Sequence, residues 1–328
     1  MRILSGIQPT GPSYHIGNYL GAIRQWVDMQ QEHELIVFIA DLHAITVPQS
    51  PGFLSRATME KTSELLALGI DPERTTLFVQ SHIQEHAELA WILSTLTPVG
   101  ELERMTQFKD KAKKHAQHIN AGLLNYPVLQ AADILLYKPE GVPIGKDQVQ
   151  HLELSRTLAR KFNNTYGETF LEPRAIVPKE GGKILSLQDP KKKMSKSDPA
   201  DTQISLFDTE EQIKKKVKKA VTDMGSEITY SPSEKPGISN LLLLFSLFGN
   251  GSVKEAEEHF KNKGYAKLKK EVGDLLAEKL APFRERKATF LKREVYVREI
   301  LTRGAKQARF IASSTMQDVR EKVGLLLP

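Results

Sequence analysis

Leu35-Ile36-Val37-Phe38-Ile39-Ala40-Asp41 is a run of six apolar residues that stops at an acid. An unbroken apolar strand has no face left for solvent, which is the pattern of a parallel strand covered on both sides. Outward from it, Arg2 to Ile7 and Thr76 to Val79 read as further strands. Helical patterns separate them: one to about Gln31, one over Leu54 to Leu68 stopped by Gly69, and one over Ala87 to Leu96. Strand–helix alternation predicts an α/β fold with a doubly wound parallel sheet. Ligands in such sheets bind beyond the carboxyl ends of the strands. Gln8, Asp41 and Gln80 stand at those ends and are expected to converge on one crevice.

Further along, residues 101–137 look helical, Val142 to Ile144 gives a short strand, Asp147 to Phe162 a helix, and Lys183 to Leu187 is strand-like. After Asp198 the chain turns helical, over Glu210 to Thr222, Ile238 to Phe248, Val253 to Phe260 and from Leu268 onward. This predicts a catalytic domain over residues 1–205, with a helical insertion at about 101–140, and a mainly helical C-terminal domain over 206–328. The last helix is a candidate to pack back on the first domain.

The 328 residues, 40% apolar and 26% charged, suit one large or two modest soluble domains. The absence of cysteine excludes disulfides, thiolate zinc sites and cysteine nucleophiles, and fits a reducing cytosol. Met1 to Ser5 runs straight into a Pro/Gly turn, and no apolar run reaches the roughly 18 residues of a membrane span, so a cytoplasmic protein with no membrane segment is expected. Net charge is +6, but residues 1–160 hold 14 Lys and Arg against 17 Asp and Glu, whereas residues 161–328 hold 32 against 23. The second half is therefore the likelier face for a polyanion, with a solvated lysine-rich surface as the alternative.

Two motifs carry chemistry. Lys193-Met194-Ser195-Lys196-Ser197-Asp198 places two ammonium groups on a loop after a strand-like run, as the grip on a departing polyphosphate requires; a basic surface loop is the plainer reading. Ser5 to Asn18 joins the first strand to the first helix through Pro9, Gly11 and Pro12, with His15 and Asn18 flanking Gly17. Backbone N–H groups at such a turn favour phosphate, and a structural turn with an Asn cap is the alternative. Neither stretch is a Walker loop or a G-x-G-x-x-G fingerprint.

Together, His15-Ile16-Gly17-Asn18 and the Lys193–Ser197 loop resemble the two signatures of class I aminoacyl-tRNA synthetases, which have a Rossmann-like fold. Residues 6–11, Asp41 to Thr46, Gly100 to Lys109, Ala131 to Tyr137, Gly145 to Gln148 and Lys235-Pro236-Gly237-Ile238-Ser239-Asn240 narrow the resemblance to bacterial-type tryptophanyl-tRNA synthetases, in order over nearly the whole chain.

That resemblance implies ATP-dependent activation of L-tryptophan and its transfer to tRNA(Trp). It implies that Gln8, Pro9, Thr10, His15, Gly17 and Asn18 hold the ATP phosphates and adenine, and that Gly145, Lys146 and Asp147 meet the adenosine. Ile184 would contact adenine, and Met194, Ser195 and Ser197 would lie around the nucleotide. Lys193 and Lys196, with His15 and Asn18, would stabilise the transferring phosphate and the leaving pyrophosphate, with Lys111 as a further candidate for the same pyrophosphate. Mg²⁺ would bridge phosphate oxygens, and no protein metal cage is expected.

For tryptophan, the resemblance points to Asp133 as acceptor for the indole N–H, which can only donate. Tyr126, Gln130 and Gln148 are candidates for the ammonium and carboxylate, and His43 for the aromatic pocket. Asp133 as an outward-pointing or capping acid is the alternative. The family is dimeric, which implies a homodimer through apolar residues within 120–137 and the preceding helix. Lys214, Lys215, Lys216, Lys218 and Lys219 are candidate tRNA contacts.

The chain departs from the family pattern at His15, usually Thr; at Lys146, more often Glu; at Leu4, often aromatic; and at Gln130, where relatives have Met. Tyr126, Gln130 and Asp133 also resemble the amino-acid site of tyrosyl-tRNA synthetases, whose acid receives a phenol hydroxyl. A tyrosine enzyme is thus the second expectation. A different adenylate-forming nucleotidyltransferase and a non-catalytic binding protein on the same scaffold rank below it.

Overall fold

The computed structural model describes Met1 to Leu327 apart from Pro12, Pro51, Gln107, residues 109–119, Lys146, Asp147, residues 178–183, Lys196 and Ser197. Strands β1 (Arg2–Ile7), β2 (Glu34–Ile39), β3 (Thr75–Val79), β4 (Gly141–Pro143) and β5 (Arg174–Ile176) form one parallel sheet in the order β3-β2-β1-β4-β5. β2 lies between β3 and β1 with Ile3 opposite Leu35 and Val37 opposite Leu77, and every residue from Leu35 to Ile39 is buried. The apolar run therefore serves the double-sided strand that its pattern requires. The chain moves outward from β1 to β3 and then returns past β1 to β4, which makes the β1/β4 boundary the topological switch point. Gln8 follows the end of β1 there, and Gly145 follows β4.

Between β1 and β2 the expected single helix is α1 (Ile16–Asn18), a π-helical segment over Tyr19–Ile23 and α2 (Arg24–Met29). A wide turn of that kind is rare and has no simple sequence signature. Then come α3 (Asp41–Ala44) and α4 (Phe53–Ala67) before β3. They are followed by α5 (Glu85–Ser94), α6 (Val99–Glu103) and α7 (Ala121–Leu135) before β4, and by α8 (Val149–Tyr166) before β5. β5 was not foreseen, because its residues are exposed or half-buried and carry no apolar run. The strand-like stretch before Leu187 joins no ladder of the sheet; Leu185 pairs instead with Lys193 in an isolated antiparallel bridge. The helical remainder comprises α9 (Glu210–Lys218), α10 (Pro236–Gly249), α11 (Val253–Phe260), α12 (Tyr265–Lys292) and α13 (Glu294–Val323).

The chain divides into two compact units. The first is Met1–Thr10, Trp26–Pro178 and Arg293–Pro328; the second is Gly11–Gln25 and Lys179–Lys292. The first contains the sheet and a core in which Leu4, Ile36, Phe78, Leu135, Leu158 and Ala308 are all buried. In the second, α9 and α10 pack on α12, burying Ile213, Val217, Leu268, Val272 and Leu276. Residue 205, the expected end of the first domain, lies inside this second unit.

Within the first unit α13 lies on β3, and the contact is closest at Gly304. A Cβ added there would be driven into the carbonyl oxygen of Leu77. Gly304→Ala should therefore force the helix off the strand and cost about 1–3 kcal/mol. Urea unfolding should show a lower midpoint with the same slope; an unchanged midpoint would contradict the contact.

Candidate functional site

Asp133 sits in the last turns of α7, where Tyr126, Gln130 and Asp133 fall at i, i+4 and i+7 and so share one helix face. The helix starts cleanly because the Asn120 side chain accepts the Leu123 N–H at 2.9 Å. Asp133 is fully buried and does not point outward. Its Oδ1 accepts hydrogen bonds from Gln80 Nε2 at 2.6 Å and His86 Nδ1 at 2.6 Å, and its Oδ2 accepts one from His43 Nε2 at 2.7 Å. Gln80 closes β3, His43 lies on α3 just past β2, and His86 is on the first turn of α5. Strand ends thus deliver donors to one carboxylate.

Burial by itself would raise the Asp133 pKa, but the adjoining His43 and His86 outweigh it and bring the group down to about 2 from 3.8. Asp133 is consequently an ionised, acceptor-only group at neutral pH. With Asp133 ionised, both facing imidazole nitrogens donate. His86 Nε2 then accepts the Tyr137 hydroxyl, 2.9 Å away, and burial holds that phenol well above its ordinary pKa. A carboxylate offers about four acceptor positions. Among the described residues three are filled, two on Oδ1 and one on Oδ2.

The other residues expected around tryptophan gather in the same unit. The Tyr126 ring meets His43 edge-on with centroids 6.2 Å apart, its hydroxyl is 3.4 Å from His151 Nε2, and burial raises its pKa. Gln130 Nε2 donates to Gln148 Oε1 at 3.3 Å, both half-buried. Asp41 and Gln80 also meet: the Leu42 N–H is shared between Asp41 Oδ1 and Gln80 Oε1 at 3.0 and 3.2 Å. His86, Gln80 as a partner of Asp133, Tyr137 and His151 were missed as site residues. Gln80 had been placed only by its strand end and Tyr137 only by its motif; His86 and His151 carry no local signal.

His15, Gly17 and Asn18 of one motif and Lys193 of the other fall in the second unit. The His15 N–H donates to Asn18 Oδ1 at 3.2 Å, and His15 Nδ1 accepts the Asn18 N–H at 3.3 Å, a reciprocal cap on α1. His15 thus supplies through a ring nitrogen the acceptor that a Thr hydroxyl offers at an N-cap. The turn is tied to residues 204–206: the Ile16 N–H donates to the Ile204 carbonyl at 3.0 Å and the Leu206 N–H to the Tyr14 carbonyl at 2.9 Å. A Cβ on Gly17 would come 3.8 Å from that of Ile184. Ile184 opens a hairpin whose return arm carries Lys193: the Met194 N–H donates to the Ile184 carbonyl at 3.0 Å and the Ser186 N–H to the Lys192 carbonyl at 2.9 Å. Met194 is buried and anchors the arm, Lys193 is exposed and Ser195 half-buried.

Gln8, Pro9, Thr10 and Gly145 belong to the first unit, and His15, Gly17, Asn18, Ile184 and Lys193 to the second. Lys111, Lys146, Asp147, Lys196 and Ser197 lie outside the described residues. Among the described residues, no three His, Asp or Glu side chains are grouped as a protein metal cage would need.

The family model of tRNA synthetases class I (W and Y) matches residues 1–281. The chain belongs to this family. It is 50% identical over 329 residues to tryptophan–tRNA ligase 2 of Streptomyces avermitilis, covering 99% of this chain and 97% of that one. It is 48% identical over 326 residues to tryptophan–tRNA ligase of Wolinella succinogenes, covering 99% of each. Among solved structures it resembles tryptophanyl-tRNA synthetase from Campylobacter jejuni, complexed with ADP and tryptophan, at a TM-score of 0.87 and 38% identity, covering 99% of this chain and 100% of that one. Likeness to the tyrosyl-tRNA synthetase of Aeropyrum pernix, at 22% identity, a TM-score of 0.65 and coverage of 92% and 89%, speaks to the fold alone.

Because folding holds Asp133 below its ordinary pKa, its contribution to stability is complete above that value of 3.8 and is lost as pH falls through about 2. Asp133→Asn would set an amide against three buried N–H donors and should cost about 3–5 kcal/mol near neutral pH. Urea unfolding of both proteins should show that gap narrowing between about pH 5 and pH 2; a gap constant with pH would contradict an ionised Asp133.

Proposed function

We infer that the chain is a tryptophan–tRNA ligase, which joins L-tryptophan to tRNA(Trp) at the expense of ATP. The observation that carries this reading is full-length likeness, at 48–50% identity, to ligases of that name. The site chemistry agrees: a buried, acceptor-only carboxylate suits an indole N–H, which can only donate. Tyrosine also donates, so Asp133 alone does not decide between them, and the relatives do.

In the proposed reaction the tryptophan carboxylate attacks the α-phosphate of ATP. An O–P bond forms, the bond to pyrophosphate breaks, and tryptophanyl-adenylate remains. The acyl group then passes to a ribose hydroxyl of the tRNA terminal adenosine, the 2′-OH in this class, and AMP leaves. No protein nucleophile is needed, since positioning and charge stabilisation supply the acceleration. Gln8, Pro9, Thr10, His15, Gly17, Asn18, Gly145, Lys146, Asp147 and Ile184 are proposed to hold the nucleotide. Lys193 and Lys196 are proposed to take the charge of the departing pyrophosphate, with Met194, Ser195 and Ser197 shaping their loop. Mg²⁺, arriving on the phosphates, would neutralise further charge there, consistent with a site built from lysines rather than carboxylates.

Exposed Lys215, Lys218 and Lys219 on α9 are the proposed tRNA phosphate contacts, because Lys214 and Lys216 are already paired, with Glu210 and Asp274 and with Asp208. A homodimer is proposed through the face beside α7, where Trp91 is 73% and Ile45 59% exposed at an apolar groove. No helix among the described residues is long and apolar enough to cross a membrane, and a cytoplasmic location is proposed.

ATP–pyrophosphate exchange with each of the twenty amino acids tests the reading: tryptophan alone should support fast exchange, and exchange with tyrosine instead would overturn it. Lys193→Ala should lower kcat by about 10²–10³ while tryptophan affinity changes little; equal losses in both would remove Lys193 from the transition state.

A further inference from the structure

Lys235-Pro236-Gly237-Ile238-Ser239-Asn240 is a quoted motif to which the proposed reaction gives no task. It forms the start of α10, with Pro236 at the first helical position. Gly237 is needed because a Cβ would be driven into the Val221 carbonyl oxygen. Ser239 Oγ accepts the Ser231 N–H at 2.9 Å. Asn240, buried at 3% exposure, turns both ends of its amide to a single residue: Oδ1 accepts the Leu185 N–H at 2.9 Å and Nδ2 donates to the Leu185 carbonyl at 3.1 Å.

The hairpin geometry explains why Leu185 needs this. Its ladder runs through Ile184–Met194 and Ser186–Lys192, so Leu185 and Lys193 face each other as a non-hydrogen-bonded pair. The N–H and C=O of Leu185 therefore point to the opposite edge, where a third strand would lie. Two residues on, the same edge of Leu187 is satisfied by backbone, its N–H on the Thr202 carbonyl at 2.8 Å and its C=O by the Val221 N–H at 2.7 Å. At Leu185 no strand is supplied, and the amide of Asn240 substitutes for one. A side-chain amide has the donor and acceptor of a peptide group, so it can pair like a strand with one residue.

We propose that Asn240 is a positioning residue for pyrophosphate release: by clamping Leu185 it fixes the hairpin arm on which Lys193 faces the nucleotide. The inference rests on the proposed role of Lys193. Removing the amide leaves two strand-edge groups without partners and frees the outgoing arm. A shift of about 1 Å in a positioned group can cost on the order of 10²-fold in rate.

The test is a double-mutant cycle by ATP–pyrophosphate exchange, using the full chain with Asn240→Ala, Lys193→Ala and both. Asn240→Asp, which keeps the acceptor but turns a carboxylate oxygen toward the Leu185 carbonyl in place of the donor, runs through the same cycle as a second variant. Asn240→Ala should lower kcat by about 10- to 100-fold, with tryptophan dissociation by equilibrium dialysis within about two-fold of wild type. In the Lys193→Ala background the same change should cost less than about three-fold, because the group it positions is gone. Asn240→Asp should show the same loss of effect in the Lys193→Ala background. Equal costs in both backgrounds would overturn the proposal, as would tryptophan affinity falling in step with kcat. Exchange by the wild type separates the two failures: if it exchanges with tryptophan and the cycle is additive, only the role of Asn240 falls.

Discussion

A carboxylate with no exposure to water constrains everything around it. Asp133 is tolerable in the interior only because three N–H donors reach it, from the end of β3, from α3 and from α5. Two of the donors are themselves held: Gln80 by the Leu42 N–H on its Oε1, His86 by the Tyr137 hydroxyl on its Nε2. Displacing any of these elements would leave a buried charge short of a partner. The charge thereby locks strand ends and helices into one arrangement. The capacity proposed for Asp133, to accept a ring N–H, would rest on the same four side chains that stabilise it.

The second unit solves a different problem, holding the turn at 15–18 proposed to bind phosphate and a lysine arm on one scaffold, and does so mostly with backbone. Residues 14–16 pair with 204–206, and residues 184–186 pair with 192–194. Side chains enter where backbone is lacking: His15 caps α1 through a ring nitrogen, and Asn240 stands in for a strand at Leu185. The charged groups proposed to act in catalysis are thus mounted on a frame whose own requirements are uncharged hydrogen bonds.

Much of this was legible in the residues. The apolar run at 35–40 has no face left for solvent, and it led directly to the parallel sheet. The lone acid among Leu, Ile and Ala, Asp133, stood out because such an acid must be paired or exposed, and it is buried and paired; a task toward tryptophan came only from the family resemblance. What stayed hidden was partnership across long separations. His86 lies 47 residues from Asp133, and nothing local distinguishes a histidine that buttresses a buried carboxylate from one that faces water. Asn240 lies 55 residues from Leu185, and its task exists only because the hairpin leaves one edge open. The π-helical segment at Tyr19–Ile23 and the edge strand β5 were illegible for another reason: one depends on a local widening with no residue preference, the other on pairing rather than on an apolar pattern.

The central claim is that an ionised Asp133 selects for a ring N–H. It is tested most directly by comparing tryptophan with 3-benzothienylalanine, which replaces the indole N–H by sulfur at nearly the same size, as substrates for ATP–pyrophosphate exchange. A buried polar partner left unpaired rejects such an analogue strongly, so kcat/KM should favour tryptophan by about 10³-fold or more. A ratio within about ten-fold, the range that shape alone supplies, would contradict the account.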